Sequence, residues 1–355
     1  MELAAGIRSR FIDDVNGLRM HMLEAGEAGR PAVLLLHGFP ELAYSWRKVL
    51  PVLAAAGFHA IAPDQRGYGR TTGWDGRYDC DLGAYAMLNV VEDAAQLLAR
   101  LQLGAVHVVG HDFGAPVAAY AALTRPQLFR SLVLMSAPFG GVPIGGRAGS
   151  VLEDLAALGR KHYQWYYSTR EADADMRRPP QGIAAFLRAY YHYKSADWPG
   201  NRPFRLQAWS ATELAKMPTY YIMELAKGMA ETVAPYMPTR EPRWLTDAEL
   251  DVYAEAFERN GFQGGLNWYR AATSPQHAAA LVQAASGRRI DVPAMFIAGD
   301  ADWGVYQKPG EFERMQESVC RDLRGCYLLS GAGHWVQQEQ PERTNELLVR
   351  FLTNL

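Results

Sequence analysis

Cysteine is scarce in this chain, and long hydrophobic runs are missing altogether. The 355 residues include three cysteines, Cys80, Cys320 and Cys326, an odd number with no C-x-x-C spacing. That argues against a disulfide framework and against a cysteine-based zinc site. No apolar run approaches the ~20 residues needed to span a bilayer. The N-terminus, Met-Glu-Leu-Ala-Ala-Gly, has no basic segment leading into an apolar one, so the expectation is a soluble, cytoplasmic protein without a membrane partner. An excess of one charge is also lacking: 36 Lys and Arg stand against 38 Asp and Glu, a formal net charge of −2. Such a balance suits no nucleic-acid surface. The nine histidines are scattered. The one close pair, His107 and His111, straddles a strand and a turn instead of sharing a helix face, so no metal is expected.

What is present is a succession of short apolar runs and turns. Residues 10–15 and 19–24, separated by Asn16-Gly17, alternate like the arms of a hairpin. Continuous apolar runs at 31–37, 59–63, 106–110, 130–135, 292–299 and 326–329 suit parallel strands buried on both faces. Helical spacing falls between them, at 44–56, 83–103, 115–123, 312–319 and 341–353. Alternating strand and helix predicts an α/β fold: a mostly parallel sheet flanked by helices. Residues 64–73 carry Gly67, Gly69 and Gly73, but turn-like sequence follows where a dinucleotide site needs a helix, so no cofactor is expected. From 138 to 285 no buried strand is visible, aromatics are dense, and helical segments such as 246–260 recur. A structureless loop of that length is implausible in a compact domain, so this is a helical cap inserted into a core made of 1–137 and 286–355.

The chemistry gathers at the ends of predicted strands. Gly110-His-Asp112-Phe-Gly114 lies between a strand and an Ala-rich helix, the setting of a nucleophile elbow, with Asp112 where serine usually stands. Taken alone, such an aspartate is as well explained as a buried turn residue or a helix cap. Asp302 follows the strand at 292–299 and His334 follows the last strand, which completes the order nucleophile, acid, histidine. A carboxylate with an ordinary pKa of about 3.9 attacks without a base. On saturated carbon it forms an alkyl ester. His334 then activates water against that ester, Asp302 orients the imidazole, and the backbone N–H groups of Phe39 and Phe113 hold the oxyanion.

Five stretches carry a resemblance: His37-Gly-Phe-Pro-Glu-Leu-Ala-Tyr-Ser-Trp-Arg47, Asp64-Gln-Arg-Gly-Tyr-Gly69, Gly110-His-Asp-Phe-Gly114, Gly264-Gly-Leu-Asn-Trp-Tyr-Arg270 and Gly333-His-Trp-Val-Gln-Gln-Glu339. Together they resemble the epoxide hydrolases of the α/β-hydrolase superfamily. The resemblance implies a small-molecule epoxide and water as reactants and two cap tyrosines that protonate the epoxide oxygen. Tyr269 matches one; Tyr163 matches the other, with Tyr166 and Tyr167 close enough to compete. It also implies a cis peptide at Pro40 and a supporting role for Glu41. An alternative is a dehalogenase sharing the aspartate nucleophile, although Phe113 stands where those enzymes carry a halide-binding Trp or an Arg. A third reading is a ligand-binding protein on the same scaffold. The sequence leaves monomer and homodimer open.

Overall fold

The computed structural model describes residues 3–142 and 148–355; residues 1–2, at the start of the N-terminal segment, and 143–147, within the predicted cap, lie outside the described residues. The hairpin is formed by β1 (Arg8–Val15) and β2 (Leu18–Ala25), which pair antiparallel. Next come β3 (Ala32–Leu36), β4 (His59–Pro63), β5 (Val106–His111) and β6 (Phe129–Met135). Two short strands follow, β7 (Arg160–His162) and β8 (Ile222–Glu224), and then β9 (Ala294–Gly299) and β10 (Leu323–Leu329). One eight-stranded sheet runs β1-β2-β4-β3-β5-β6-β9-β10, and β7 pairs with β8 in a separate ribbon. From β4 to β10 every pairing is parallel. Every residue of β3, β4, β5 and β9 is buried, which explains why those segments read as unbroken apolar runs.

The strand order places the site. β3 lies between β4 and β5, so the winding reverses there and a crevice opens beyond the carboxyl ends of β3 and β5. Leu36 pairs with Gly110, which brings the turn after β3 beside the turn after β5. Gly110 and Gly114 make that approach possible. A Cβ on Gly110 would run into the Gly114 carbonyl, and a Cβ on Gly114 into the carbonyls of Leu36 and His37.

Several elements depart from the sequence reading. The helix expected over 44–56 is split into a 3-10 turn, Ala43–Trp46, and a helix, Leu50–Ala55, because Pro51 lacks an N–H and belongs in a first turn. The helix expected over 83–103 is a 3-10 turn, Leu82–Tyr85, followed by Met87–Arg100, with extended backbone at Ala86 between them. Residues 312–319 form a short helix, Glu311–Arg314, running into a π-turn, Met315–Val319. The last strand begins at Leu323, three residues before the expected start.

The chain between β6 and β9 is mostly helical, including Ile183–Lys194, Asp247–Asn260 and Gln263–Ala272. The ribbon of β7 and β8 is an exception to the all-helical expectation; three residues per strand are too few to show alternation. Thr246 and Glu249 form a capping box that starts Asp247–Asn260. This segment packs closely on the sheet. Gly67 and Gly264 meet backbone to backbone, leaving no room for a Cβ on either. The Trp268 indole donates to the Arg66 carbonyl at 2.9 Å, and Arg47 Nε donates to Glu249 Oε1 at 2.8 Å.

These contacts make a specific demand on glycine. Gly114→Ala should lose about 2–3 kcal/mol of stability, because the Cβ meets backbone that cannot rotate away. Gly104→Ala, where a Cβ meets nothing, should stay within ~0.5 kcal/mol of the parent or gain stability. Urea midpoints of the two variants check this; equal midpoints would contradict the packing argument.

Candidate active site

Asp112 lies at the turn between β5 and the helix Gly114–Thr124 with φ of 50°, a left-handed conformation for a residue with a side chain. Such strain persists where surrounding structure enforces it. Here the Asp112 N–H donates to the Met135 carbonyl at 3.1 Å and the Asp112 carbonyl accepts from Ala115 at 3.0 Å. The turn is therefore tied to β6 on one side and to the helix on the other.

The three residues predicted from strand ends come together. Asp112 Oδ2 lies 3.0 Å from His334 Nε2, and His334 Nδ1 lies 3.0 Å from Asp302 Oδ1. Asp302 also accepts from the Gly304 N–H at 2.7 Å, and His334 N–H donates to the Lys194 carbonyl at 2.9 Å. Asp302 and His334 are buried, whereas the Asp112 side chain keeps 12% exposure. The end of the chain open to solvent or ligand is thus the aspartate on the elbow.

The other predicted positions surround that carboxylate. The Phe39 N–H donates to Asp112 Oδ1 at 2.8 Å. Phe113, the helix N-cap, makes no backbone N–H hydrogen bond among the described residues. The Phe39–Pro40 peptide is cis. Tyr269 packs its ring edge-on against Phe39, whose N–H donates to Asp112, at 5.4 Å and against Phe113 at 5.0 Å. Tyr163 lies 5.9 Å from Tyr269, ring to ring. Its placement depends on the unexpected ribbon: the Tyr163 N–H donates to the Tyr221 carbonyl at 2.9 Å, directly after the pairing of His162 with Ile222. The competitors have other contacts. Tyr166 donates to Asp175 at 2.7 Å, and Tyr167 shares its hydroxyl with Tyr190 at 3.3 Å.

Electrostatics follow from burial and charge. Burial works against ionisation of Asp112, yet the His334 hydrogen bond and the charges of His334, Lys194 and His111 hold its carboxyl well below the usual range. Burial, reinforced by the Asp112 charge, pushes the phenols of Tyr163 and Tyr269 well above their ordinary value, so both remain protonated. Tyr163 donates to Gln307 Oε1 at 3.2 Å and accepts from Gln164 at 3.1 Å, while the Tyr269 hydroxyl has no partner among the described residues.

Glu41 is more central than its sequence position suggested. It is fully buried and accepts from the Gly38 N–H at 3.2 Å, from Gln337 at 3.2 Å and from Gln338 at 3.1 Å. Its Oε2 also lies 2.6 Å from His111 Nδ1, and His111 Nε2 faces the His334 carbonyl at 2.7 Å. Both ring nitrogens of His111 face acceptors, so the ring carries two protons and a positive charge. Burial opposes that charge, but Glu41 and then Asp112 raise its pKa. Sequence reading missed His111 in this role. The only signal was a histidine adjoining the nucleophile position, and its partner is 70 residues away. Glu339, the last residue of the final motif, braces the His334 loop by accepting from the Ala196, Gly333 and Trp335 N–H groups at 2.8–2.9 Å. Burial pushes it up to about 8. Among the described residues no group of His, Cys, Asp and Glu is arranged to hold a metal, and no described helix is long and apolar enough to cross a membrane.

The Glu41–His111 pair makes two predictions. Glu41→Gln removes a buried charge from a histidine that stays protonated, and should cost about 3 kcal/mol in a thermal or urea unfolding experiment. The His111 contribution is fully present below its unfolded pKa of about 6.5 and is lost as pH rises through the raised folded value. Melting temperature should therefore fall on the alkaline side of neutrality in the parent, and that component of the slope should vanish in His111→Gln. A slope unchanged by the substitution would refute the assignment.

Comparison with known proteins agrees with this geometry. Residues 31–215 match the alpha/beta hydrolase fold family. Epoxide hydrolase A of Mycobacterium tuberculosis is 34% identical over 99% of both chains, and epoxide hydrolase B of the same organism is 33% identical over 96% of both. Among solved structures, an epoxide hydrolase from an endophytic Streptomyces superposes with a TM-score of 0.82 at 32% identity, covering 99% of this chain and 96% of that one. Potato epoxide hydrolase I superposes with a TM-score of 0.79 at 31% identity, covering 98% of this chain and 100% of its own. With Asp112, Asp302 and His334 brought together from the ends of β5, β9 and β10 and relatives matched nearly end to end, the chain belongs to the epoxide hydrolase family of the α/β-hydrolase superfamily.

Proposed function

We propose that this protein hydrolyses epoxides to vicinal diols through an alkyl ester on Asp112, with residues 138–285 acting as a cap over a core formed by 1–137 and 286–355. The observation that supports this reading is a carboxylate backed by His334 and Asp302, with Tyr269 packed on Phe39 and Phe113 beside it and Tyr163 packed on Tyr269. An Asp112 oxygen attacks an epoxide carbon, the C–O bond breaks, and its electron pair stays on oxygen. An alkoxide is a poor leaving group, so a phenol of Tyr163 or Tyr269 gives its proton as the bond opens. The products are a hydroxyalkyl ester and a phenolate.

The proton donors become better acids as they are needed. The Asp112 charge is one cause of the raised phenol pKa values, and ester formation removes that charge. Tyr163 is favoured over Tyr167 because the Asp112 charge acts on its phenol, whereas Tyr167 is influenced chiefly by burial and by neighbouring tyrosines.

In the second step His334 Nε2 takes a proton from water, and the resulting hydroxide attacks the ester carbonyl carbon. The Phe39 N–H, already aimed at an Asp112 oxygen, and the unpaired Phe113 N–H stabilise the oxyanion. Collapse releases the diol and regenerates the Asp112 carboxylate. The proton held by His334 returns to the phenolate, so the cycle consumes one epoxide and one water. Asp302 keeps Nδ1 protonated and leaves Nε2 to act as the base.

A single turnover with excess enzyme and an aryl epoxide such as styrene oxide in 18O-labelled water tests the mechanism. The first diol should carry unlabelled oxygen taken from Asp112, and the label should appear in the protein. Labelled first-turnover diol would overturn the covalent route. Asp112→Asn should abolish turnover while leaving the fold intact. Tyr163→Phe combined with Tyr269→Phe should slow ring opening by about 100- to 10,000-fold; a double variant opening epoxides at the parent rate would remove both tyrosines from the mechanism.

A further inference from the structure

Lys194 ends the helix Ile183–Lys194 and is only 3% exposed, yet no acceptor among the described residues lies within hydrogen-bonding distance of its ammonium. Four ring faces surround the ammonium: Tyr221 at 5.0 Å, Trp335 at 5.3 Å, Tyr190 at 5.4 Å and Tyr220 at 5.9 Å. A buried ammonium without hydrogen bonds costs several kcal/mol, and each ring face returns only about 1–2 kcal/mol. Structural packing alone gives no reason to keep the charge, since a methionine would fill the same cage without that cost.

The cage joins the two ends of the reaction. Trp335 follows His334 and lies 4.7 Å from it, ring to ring, on the side of the triad. Tyr221 lies 5.1 Å from Tyr163, on the side of the proton donor. Tyr190 meets Tyr167, whose ring packs 5.0 Å from Tyr269. The rings around Lys194 therefore touch His334, the partner of Asp112, on one side and Tyr163 on the other. Resting on the reaction proposed above, we propose that Lys194 is a positioning residue for ring opening, a fixed internal cation that holds the site's negative charge as it moves from Asp112 to the phenol oxygens. Total charge does not change in that step; it shifts from carboxylate to phenolate as the ester forms. A cation already committed to a hydrogen-bonded carboxylate would have most of its field cancelled, whereas this one faces only ring quadrupoles.

The groups around it are defined. Burial lowers the Lys194 pKa, and the charges of Asp112, Asp302 and Glu41 resist that shift. The ammonium is lost on the alkaline side, where the raised phenols of Tyr163 and Tyr269 do not titrate. His111 also loses its proton on that side, but it is present in every variant compared. Glu339 braces the backbone after Lys194, at Ala196, and on either side of His334, at Gly333 and Trp335, without contacting the ammonium.

The test is rapid-quench measurement of alkyl-enzyme formation from an aryl epoxide under single-turnover conditions, across pH, in the parent, Lys194→Met and Lys194→Arg. Lys194→Met should slow ester formation by about 10- to 100-fold with substrate affinity changed less than about threefold. Lys194→Arg should retain the rate to within about fivefold. The parent rate should fall more at alkaline pH than the arginine variant's, because the ammonium deprotonates and the guanidinium does not, while any fall due to His111 is common to both. Equal rates in parent and Lys194→Met, or an alkaline limb identical in parent and Lys194→Arg, would overturn the proposal; the second comparison holds even if the methionine variant fails to fold. A parent that forms no alkyl-enzyme at all would instead overturn the covalent mechanism, and this inference with it.

Discussion

A carboxylate that must stay ionised while largely removed from water is the constraint on which the rest of this structure depends. Desolvation of Asp112 favours the protonated form, and the fold answers with positive charges and hydrogen-bond donors around it. His334 contacts one oxygen and the Phe39 N–H the other, while His111 and Lys194 add positive charge without touching either. Each of these then needs support of its own. Asp302 holds His334, Glu41 holds His111, and an aromatic cage holds Lys194. The polar interior of this protein is built outward from one aspartate.

That arrangement is only possible because the sheet delivers its parts from different places in the chain. Asp112 comes from the end of β5, the Phe39 N–H that contacts it from the turn after β3, Asp302 from beyond β9 and His334 from beyond β10, and parallel pairing aligns all of those carboxyl ends. The tyrosines arrive from the opposite side. Gly67 against Gly264 lets the helix Gln263–Ala272 lie on the sheet's rim closely enough for Tyr269 to reach Phe39 and Phe113. The glycine-rich stretch at 64–73, which invites comparison with a phosphate loop, serves this docking: its Trp268 contact and its glycine contact are both to the cap.

The parts of this site legible in the sequence are those with a local signature. Asp112, Asp302 and His334 each follow an apolar strand, and the glycines around Asp112 mark a close strand-to-helix turn, so strand ends alone pointed to three side chains that the fold brings into contact. Tyr269 and Tyr163 needed the family resemblance, because nothing in spacing distinguishes a proton donor from the many tyrosines that pack this cap. His111 was marked only by its place beside Asp112, and Lys194 by nothing. Their importance comes from what faces them across the fold: a carboxylate 70 residues away for the one, rings from three separate segments for the other. Helix limits failed where proline or an extended residue broke a continuous apolar pattern, as at Pro51 and Ala86. The β7–β8 ribbon was invisible for a related reason, since strands so short are defined by their partner and not by their own sequence.

A second array in the same molecule shows why residue types and distances do not by themselves make a site. Ser9 Oγ lies 2.9 Å from His21 Nε2, and His21 Nδ1 lies 2.7 Å from Asp64 Oδ2, the atom order of a serine hydrolase. Yet Ser9 stands on β1, an extended strand at the sheet edge, and not on a strand-to-helix turn that would thrust it toward oxyanion donors. Asp64 is further occupied by the Ala43 and Arg70 N–H groups, which makes it the clasp of the 64–73 loop. The comparison isolates what the elbow contributes to the other array. At Asp112 a left-handed turn, enforced by two glycines, presents the reactive oxygens at the mouth of the crevice, with a backbone donor on one of them and phenols above. Phe113 differs from a donor-bearing residue at the same place: its ring carries no polar atom and meets Trp268 edge-on, and the Trp268 indole is already bound to a carbonyl, so neither Phe113 nor Trp268 offers a side-chain N–H to a departing halide.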